Sequence, residues 1–209
     1  MTDTPFTPDK DQIAALEPFE RLPLARIALV STRAEAERAI TELDHAAVLG
    51  FDTESKPTFT KGEVSDGPHT VQLATLDRGF VFQLHDPACR DALASLLAMH
   101  PSKKVGFGLG DDVRRIRGKL GVEVLGVVDL NHLFRARGYR KDIGVKTAVA
   151  VMFDRRFIKS GKASTSNWAA RELGDSQLLY AANDAWAALR VYAAMQGAMQ
   201  VVAPVPSRR

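Results

Sequence analysis

The chain has 209 residues, 45% of them hydrophobic and 25% charged, with a net charge of +3; this is the profile of a globular protein long enough to bury a substantial core in one domain. No apolar run approaches the ~20 residues of a membrane span, and "MTDTPFTPDKDQ" lacks the basic-then-apolar pattern of a secretory leader. Cys89 is the single cysteine, which excludes an internal disulfide and a multi-cysteine zinc site and makes a reducing, cytoplasmic setting the expectation.

Residues 1–22 contain Pro5, Pro8 and Pro18, show no periodicity and read as an N-terminal arm; the domain is expected over 23–200, with 201–209 a short tail. "RIALVS" (26–31) predicts a strand. "TRAEAERAITELDHAA" (32–47) predicts a helix, with Ala36, Ala39, Ile40 and Leu43 at helical spacing behind a Ser31/Thr32 cap and Glu35. "VLGFDTE" (48–54) is the next strand. After a loop over 56–68, "TVQLATL" and "GFVFQL" form two strands joined at Asp77-Arg78-Gly79, a hairpin signal.

A helix over 88–99, a strand over 103–108 and a helix from Asp111 to about Leu120 follow, then a strand in "VEVLGVVDL". "LNHLFRARG", "GVKTAVAVMF" and a long run over about 175–199 predict helices. The fold class is α/β: a mixed sheet, antiparallel hairpin plus parallel strands, flanked by α-helices. Residues 135–162 carry nine bases against Asp142 and Asp154. Such a run is either a footprint for a polyanion such as nucleic acid or a solvated helical surface.

Carboxylates recur at three places. Asp52 and Glu54 are two apart on a strand and project from the same face, where buried like charges are costly unless paired or metal-bound. Asp111 and Asp112 stand where "VGFGLG" enters a helix, a position that also suits simple capping. Gly106, Gly108 and Gly110 there resemble a dinucleotide loop, but Asp111 occupies the position of its last glycine and would repel pyrophosphate. Tyr180 and Asp184 share one face of the last helix, above an apolar stripe. If the strand, the junction and the late helix converge, their hard oxygen ligands suit two Mg²⁺ or Mn²⁺ ions placed for displacement at phosphorus.

The order "FDTE", "VGFGLGDDVRRI", "YAAND" resembles the three motifs of the DEDD-type 3′–5′ exonucleases, in the tyrosine subgroup. "KPTFTKGE", "VQLAT" and "SNWAARELGDSQLLYAANDA" extend the likeness over roughly 25–198. It is most like the exonuclease domain of the Werner-syndrome helicase and more distantly like ribonuclease D. The resemblance implies a ribonuclease H-like fold and hydrolysis of nucleic acid from a free 3′ end to nucleoside 5′-monophosphates. Asp52 would bridge two metals, Glu54 would help hold the ion carrying the attacking water, and Asp112 and Asp184 would complete the ligands. Asp112 is preferred to Asp111 because the family's acid follows "VGxGxxx". Tyr180 would orient the water, since a phenol of ordinary acidity is a poor base at neutral pH.

The expected departures from the family are that no helicase segment and no C-terminal helical nucleic-acid-binding module is read in these 209 residues, and that Lys56 stands where relatives often carry a large aromatic or Arg neighbourhood. Phe59, Lys159, Lys162, Ser166 and Trp168 are the candidate nucleic-acid contacts, with a core role the alternative for Trp168 and a packed loop aromatic the alternative for Phe59. Gln72 reads as structural, and the five histidines lack ligand spacing. The Werner-type likeness favours DNA, with RNA possible. The alternatives are a nucleic-acid-binding module that has lost catalysis and, more remotely, a nucleotide-binding oxidoreductase.

Overall fold

A computed structural model describes residues 5–58, 65–99 and 101–202. The strands are β1 (Ile27–Val30), β2 (Val48–Glu54), β3 (Thr70–Ala74), β4 (Gly79–Gln83), β5 (Lys103–Gly106) and β6 (Val127–Asp129), in one sheet of order β1-β4-β3-β2-β5-β6. β3 pairs antiparallel with both β2 and β4, and the β1–β4, β2–β5 and β5–β6 pairs are parallel. This is the mixed sheet that the sequence predicts. The expected strand over 122–130 shortens to β6, because Gly126 turns the chain at φ +71° just before it.

Helices cover both faces. On one lie α2 (Arg33–Leu43), α3 (Pro87–Met99) and α4 (Gly110–Leu120), which bury Leu49 and Phe51 of β2 with Leu43, Leu93 and Ile116. On the other lie α5 (Leu130–Ala136), α6 (Val145–Phe153) and the 28-residue α8 (Asp175–Val202). A four-residue α7 (Gly161–Ser164) sits between α6 and α8, too short to leave a periodic signal. Among the described residues no helix is long and apolar enough to cross a membrane.

α8 rests on the sheet through small side chains, Ala181, Ala182, Ala185 and Ala188, all buried. The sheet answers with Gly50: a Cβ there would stand 2.0 Å from the Ala185 carbonyl oxygen. A glycine inside a strand marks such an approach of one backbone to another.

Residues 5–22 are not a loose arm. Asp9 and Gln12 form a capping box for the short α1 (Lys10–Ala15). Phe19 and Leu22 enter the core, Phe19 against Phe153 and Trp186. The Leu22 N–H donates to Asn183 Oδ1 (2.8 Å), and Asn183 Nδ2 donates back to the Leu22 carbonyl (3.2 Å). Isolated apolar residues between prolines leave no periodicity to read, so only packing shows the docking. α8 runs to Val202, into the expected tail over 201–209, and residues 203–209 lie outside the described ones.

Candidate active site

The pleat of β2 sorts its residues. Leu49 and Phe51 enter the core under α2, α3 and α4, so Gly50, Asp52 and Glu54 face α8. Because Gly50 admits the α8 backbone at Ala185, the preceding residue, Asp184, comes down beside Asp52. Carboxylate oxygens of Asp52, Glu54 and Asp184 all lie within 4.8 Å of one another.

Asp112 reaches the same end of β2 from the first turn of α4. Its carboxylate accepts a hydrogen bond from the Thr53 hydroxyl, and its charge is felt by both Asp52 and Glu54. Asp111 instead points to solvent and pairs with Arg114 at 2.9 Å. Thr53, on the far side of β2 from Asp52, thereby couples the second acidic motif to the first. No motif reading singled it out.

The cluster is electrostatically under-compensated. Burial, then Asp184, Asp112 and Glu54, hold the Asp52 carboxyl well above the ordinary carboxylate range. Burial and then Asp184 push Glu54 up to about 8. Asp184 is also raised by burial although Lys159 opposes the shift. Both of its oxygens are buried without a well-directed hydrogen bond, and the Lys159 ammonium lies against Oδ2 as an ion pair. Among the described residues Lys159 is thus the ammonium in ion-pair contact with the three converging carboxylates, through Asp184, with the Lys146 charge also acting on Asp184. A cluster of hard oxygens short of positive charge fits divalent cations of the Mg²⁺ or Mn²⁺ type.

These shifts carry a pH dependence. Carboxyls raised in the folded state bind more protons there than in the unfolded chain, so stability falls as pH rises toward about 8, the value for Glu54. With EDTA present, Tm is expected to fall by roughly 5 °C between pH 6.5 and 8, and by less in Asp52→Asn. His69 and Lys104, both lowered by burial, act in the opposite sense but equally in the two proteins. Parallel melting curves for the two would overturn the expectation.

The candidate nucleic-acid contacts separate. Lys159 is at the cluster itself, its ammonium also 4.8 Å from the centre of the Tyr180 ring. Lys162 is exposed on α7. Ser166 is used internally: its hydroxyl donates to the Ala163 carbonyl (2.7 Å) and accepts from Gln177 (3.0 Å). Trp168 is 1% exposed, with its ring 5.9 Å from that of Tyr180, which it packs against from within the core. Phe59 lies outside the described residues.

The basic run is divided in the same way. Arg135 pairs with Asp142, and Arg137 donates to the Met195 carbonyl at 2.8 Å. Lys146 and Lys159 act on Asp184.

A family model described as 3′–5′ exonuclease matches residues 27–200. The chain belongs to that family. It is 28% identical to an Arabidopsis thaliana 3′–5′ exonuclease over 149 residues, 70% of this chain and 51% of that protein. It is 26% identical over 208 residues to the Homo sapiens exonuclease 3′–5′ domain-containing protein 2, 91% of this chain and 33% of that protein. The chain thus spans about half and a third of the lengths of these relatives.

Solved structures share the ribonuclease H-like fold. The Aedes aegypti Nibbler EXO domain matches with a TM-score of 0.72 at 22% identity, covering 88% of this chain and 93% of that one. Trypanosoma brucei RNase D in complex with RNA U12 matches with 0.72 at 22% identity, covering 90% and 65%.

Proposed function

We propose that this chain is a metal-dependent 3′–5′ exonuclease of the tyrosine subgroup, releasing nucleoside 5′-monophosphates from nucleic acid with a free 3′ end. The observation that carries the reading is the convergence of Asp52, Glu54 and Asp184 within 4.8 Å, with the Asp112 charge alongside. The catalytic domain is residues 23–200, with the preceding segment packed on it.

Asp52, Glu54 and Asp184 would hold the metal, and Asp112 would complete the set. Bound there, a pair of divalent cations supplies Lewis acidity toward water and the phosphodiester, and positive charge toward the departing 3′ oxygen. The protein positions the reactants. Water adds to the terminal phosphorus, the P–O3′ bond breaks, and the departing oxygen takes up a proton. Burial and Asp184 raise the Tyr180 phenol, so it stays protonated at neutral pH and directs the water by its hydroxyl. Trp168 fixes that ring from behind. Exposed Lys162 and the mobile-stemmed Lys159 are suited to phosphates.

DNA is the favoured substrate on the Werner-type likeness; the RNase D complex with RNA concerns that protein, and it brings RNA into the test. Incubating 5′-labelled single-stranded and recessed DNA and RNA with Mg²⁺ or Mn²⁺ is expected to give ladders shortening from the 3′ end. EDTA and Asp184→Asn should abolish them. Intact substrate under every metal condition would leave the alternative, a binding module without catalysis. Tyr180→Phe is expected to slow turnover by about 10²-fold with Mn²⁺ affinity unchanged; wild-type rates would remove Tyr180 from the mechanism.

A further inference from the structure

Lys159, a candidate phosphate contact in the sequence, has a second partner in the structure. Its side chain is 28% exposed, and the ammonium lies on Oδ2 of Asp184, whose side chain is only 4% exposed. Among the described residues it is the cation paired with the converging acids. Asp184 is also one of the three carboxylates whose convergence fits a divalent ion. An ammonium and a metal ion on one buried carboxylate repel each other strongly, so each weakens the other's hold.

The surroundings let the side chain move while its backbone stays fixed. On one side the segment is pinned to the N-terminal residues: the Arg156 N–H donates to the Glu17 carbonyl (2.8 Å) and the Phe19 N–H to the Arg156 carbonyl (2.9 Å). On the other, Ser160 caps α7 by accepting from the Ala163 N–H (3.3 Å). Between these anchors Lys159 has a flexible four-carbon stem. A cleft of about 140 Å³ opens beside it, lined by Glu20, Arg21, Lys159, Ser160, Tyr180 and Asp184.

We propose that Lys159 is an internal competitor for the divalent-cation site: its ammonium is paired with Asp184, one of the three carboxylates that would hold a metal ion, and cation binding drives it into the adjoining cleft. This rests on the metal-dependent reading above. Two consequences follow from the contacts. The chain keeps its acid cluster partly neutralised without metal, at the expense of weaker metal binding. Displacement also changes the surroundings of Tyr180, whose ring the ammonium now faces at 4.8 Å.

The test follows Lys159 itself. The full chain is reductively methylated with formaldehyde and borohydride at pH 8, with and without Mn²⁺, and labelling at each lysine is quantified by mass spectrometry. Labelling of Lys159 is expected to rise at least about five-fold with Mn²⁺, while Lys10 and Lys162 are unchanged. In Asp184→Asn it should be high from the start. Calorimetric titration with Mn²⁺ alone is expected to show about ten-fold tighter binding by Lys159→Met.

If Mn²⁺ binds but Lys159 labelling does not increase, or Lys159→Met binds no tighter, competition is refuted and the metal-site reading stands. If neither protein binds Mn²⁺, the metal-site reading falls together with this one.

Discussion

Asp52→Asn is expected to lower the exonuclease rate by about 10³-fold while raising Tm in the presence of EDTA. The two effects have one cause. Asp52 is desolvated and surrounded by the charges of Asp184, Asp112 and Glu54, so its ionised form is unfavourable in the folded chain. The amide keeps the shape and still accepts the Thr53 N–H bond, now 2.9 Å from Oδ1, but removes a like charge from the cluster. The same change deprives the metal site of the acid with the most neighbours. Initial rates on a 5′-labelled substrate and melting curves in EDTA check both halves. A variant that is active, or that melts below wild type in EDTA, would show that Asp52 is not held at electrostatic cost for function.

Gly50→Ala is expected to destabilise the chain by about 3 kcal/mol or more and to weaken Mn²⁺ binding. The added methyl would stand 2.0 Å from the Ala185 carbonyl oxygen and 2.7 Å from its carbon. Both belong to the α8 backbone, so no side chain can turn aside, and the helix must shift with Asp184 on it. Gly110→Ala, at a helical position with nothing within 4 Å, is the control and should stay within about 0.5 kcal/mol of wild type. Denaturant unfolding and Mn²⁺ titration of both variants measure the contrast. If Gly50→Ala unfolds with wild-type stability, the close contact of α8 with β2 is not what positions Asp184.

The fold was largely legible because its elements carry their own periodicities. Alternating or continuous apolar runs mark β2 to β5, and Thr32 and Glu35 form the capping box of α2 that their spacing predicts. The short elements were not. α1 and α7 have 6 and 4 residues, less than two helical turns, and leave no stripe. The docking of Phe19 and Leu22 depends on Trp186 and Asn183, more than 150 residues away along the chain. Gly50 was visible beside "FDTE", and a glycine in an apolar strand is a signal of close approach; what approaches it could not be read.

What the sequence by itself determined is the inventory and its local geometry. Strand alternation puts Asp52 and Glu54 on one face, helical spacing puts Tyr180 and Asp184 on one face, and the ordered motifs carry the family. What only the tertiary structure decided is which charges meet. The gap at Gly50 brings Asp184 to Asp52, Thr53 ties Asp112 to the strand, and Lys159 takes its place on Asp184 while Arg135 and Arg137 are spent on internal partners. Those outcomes depend on distances between elements far apart in the chain, and on how poorly water reaches them, and neither quantity is a property of any local stretch of sequence.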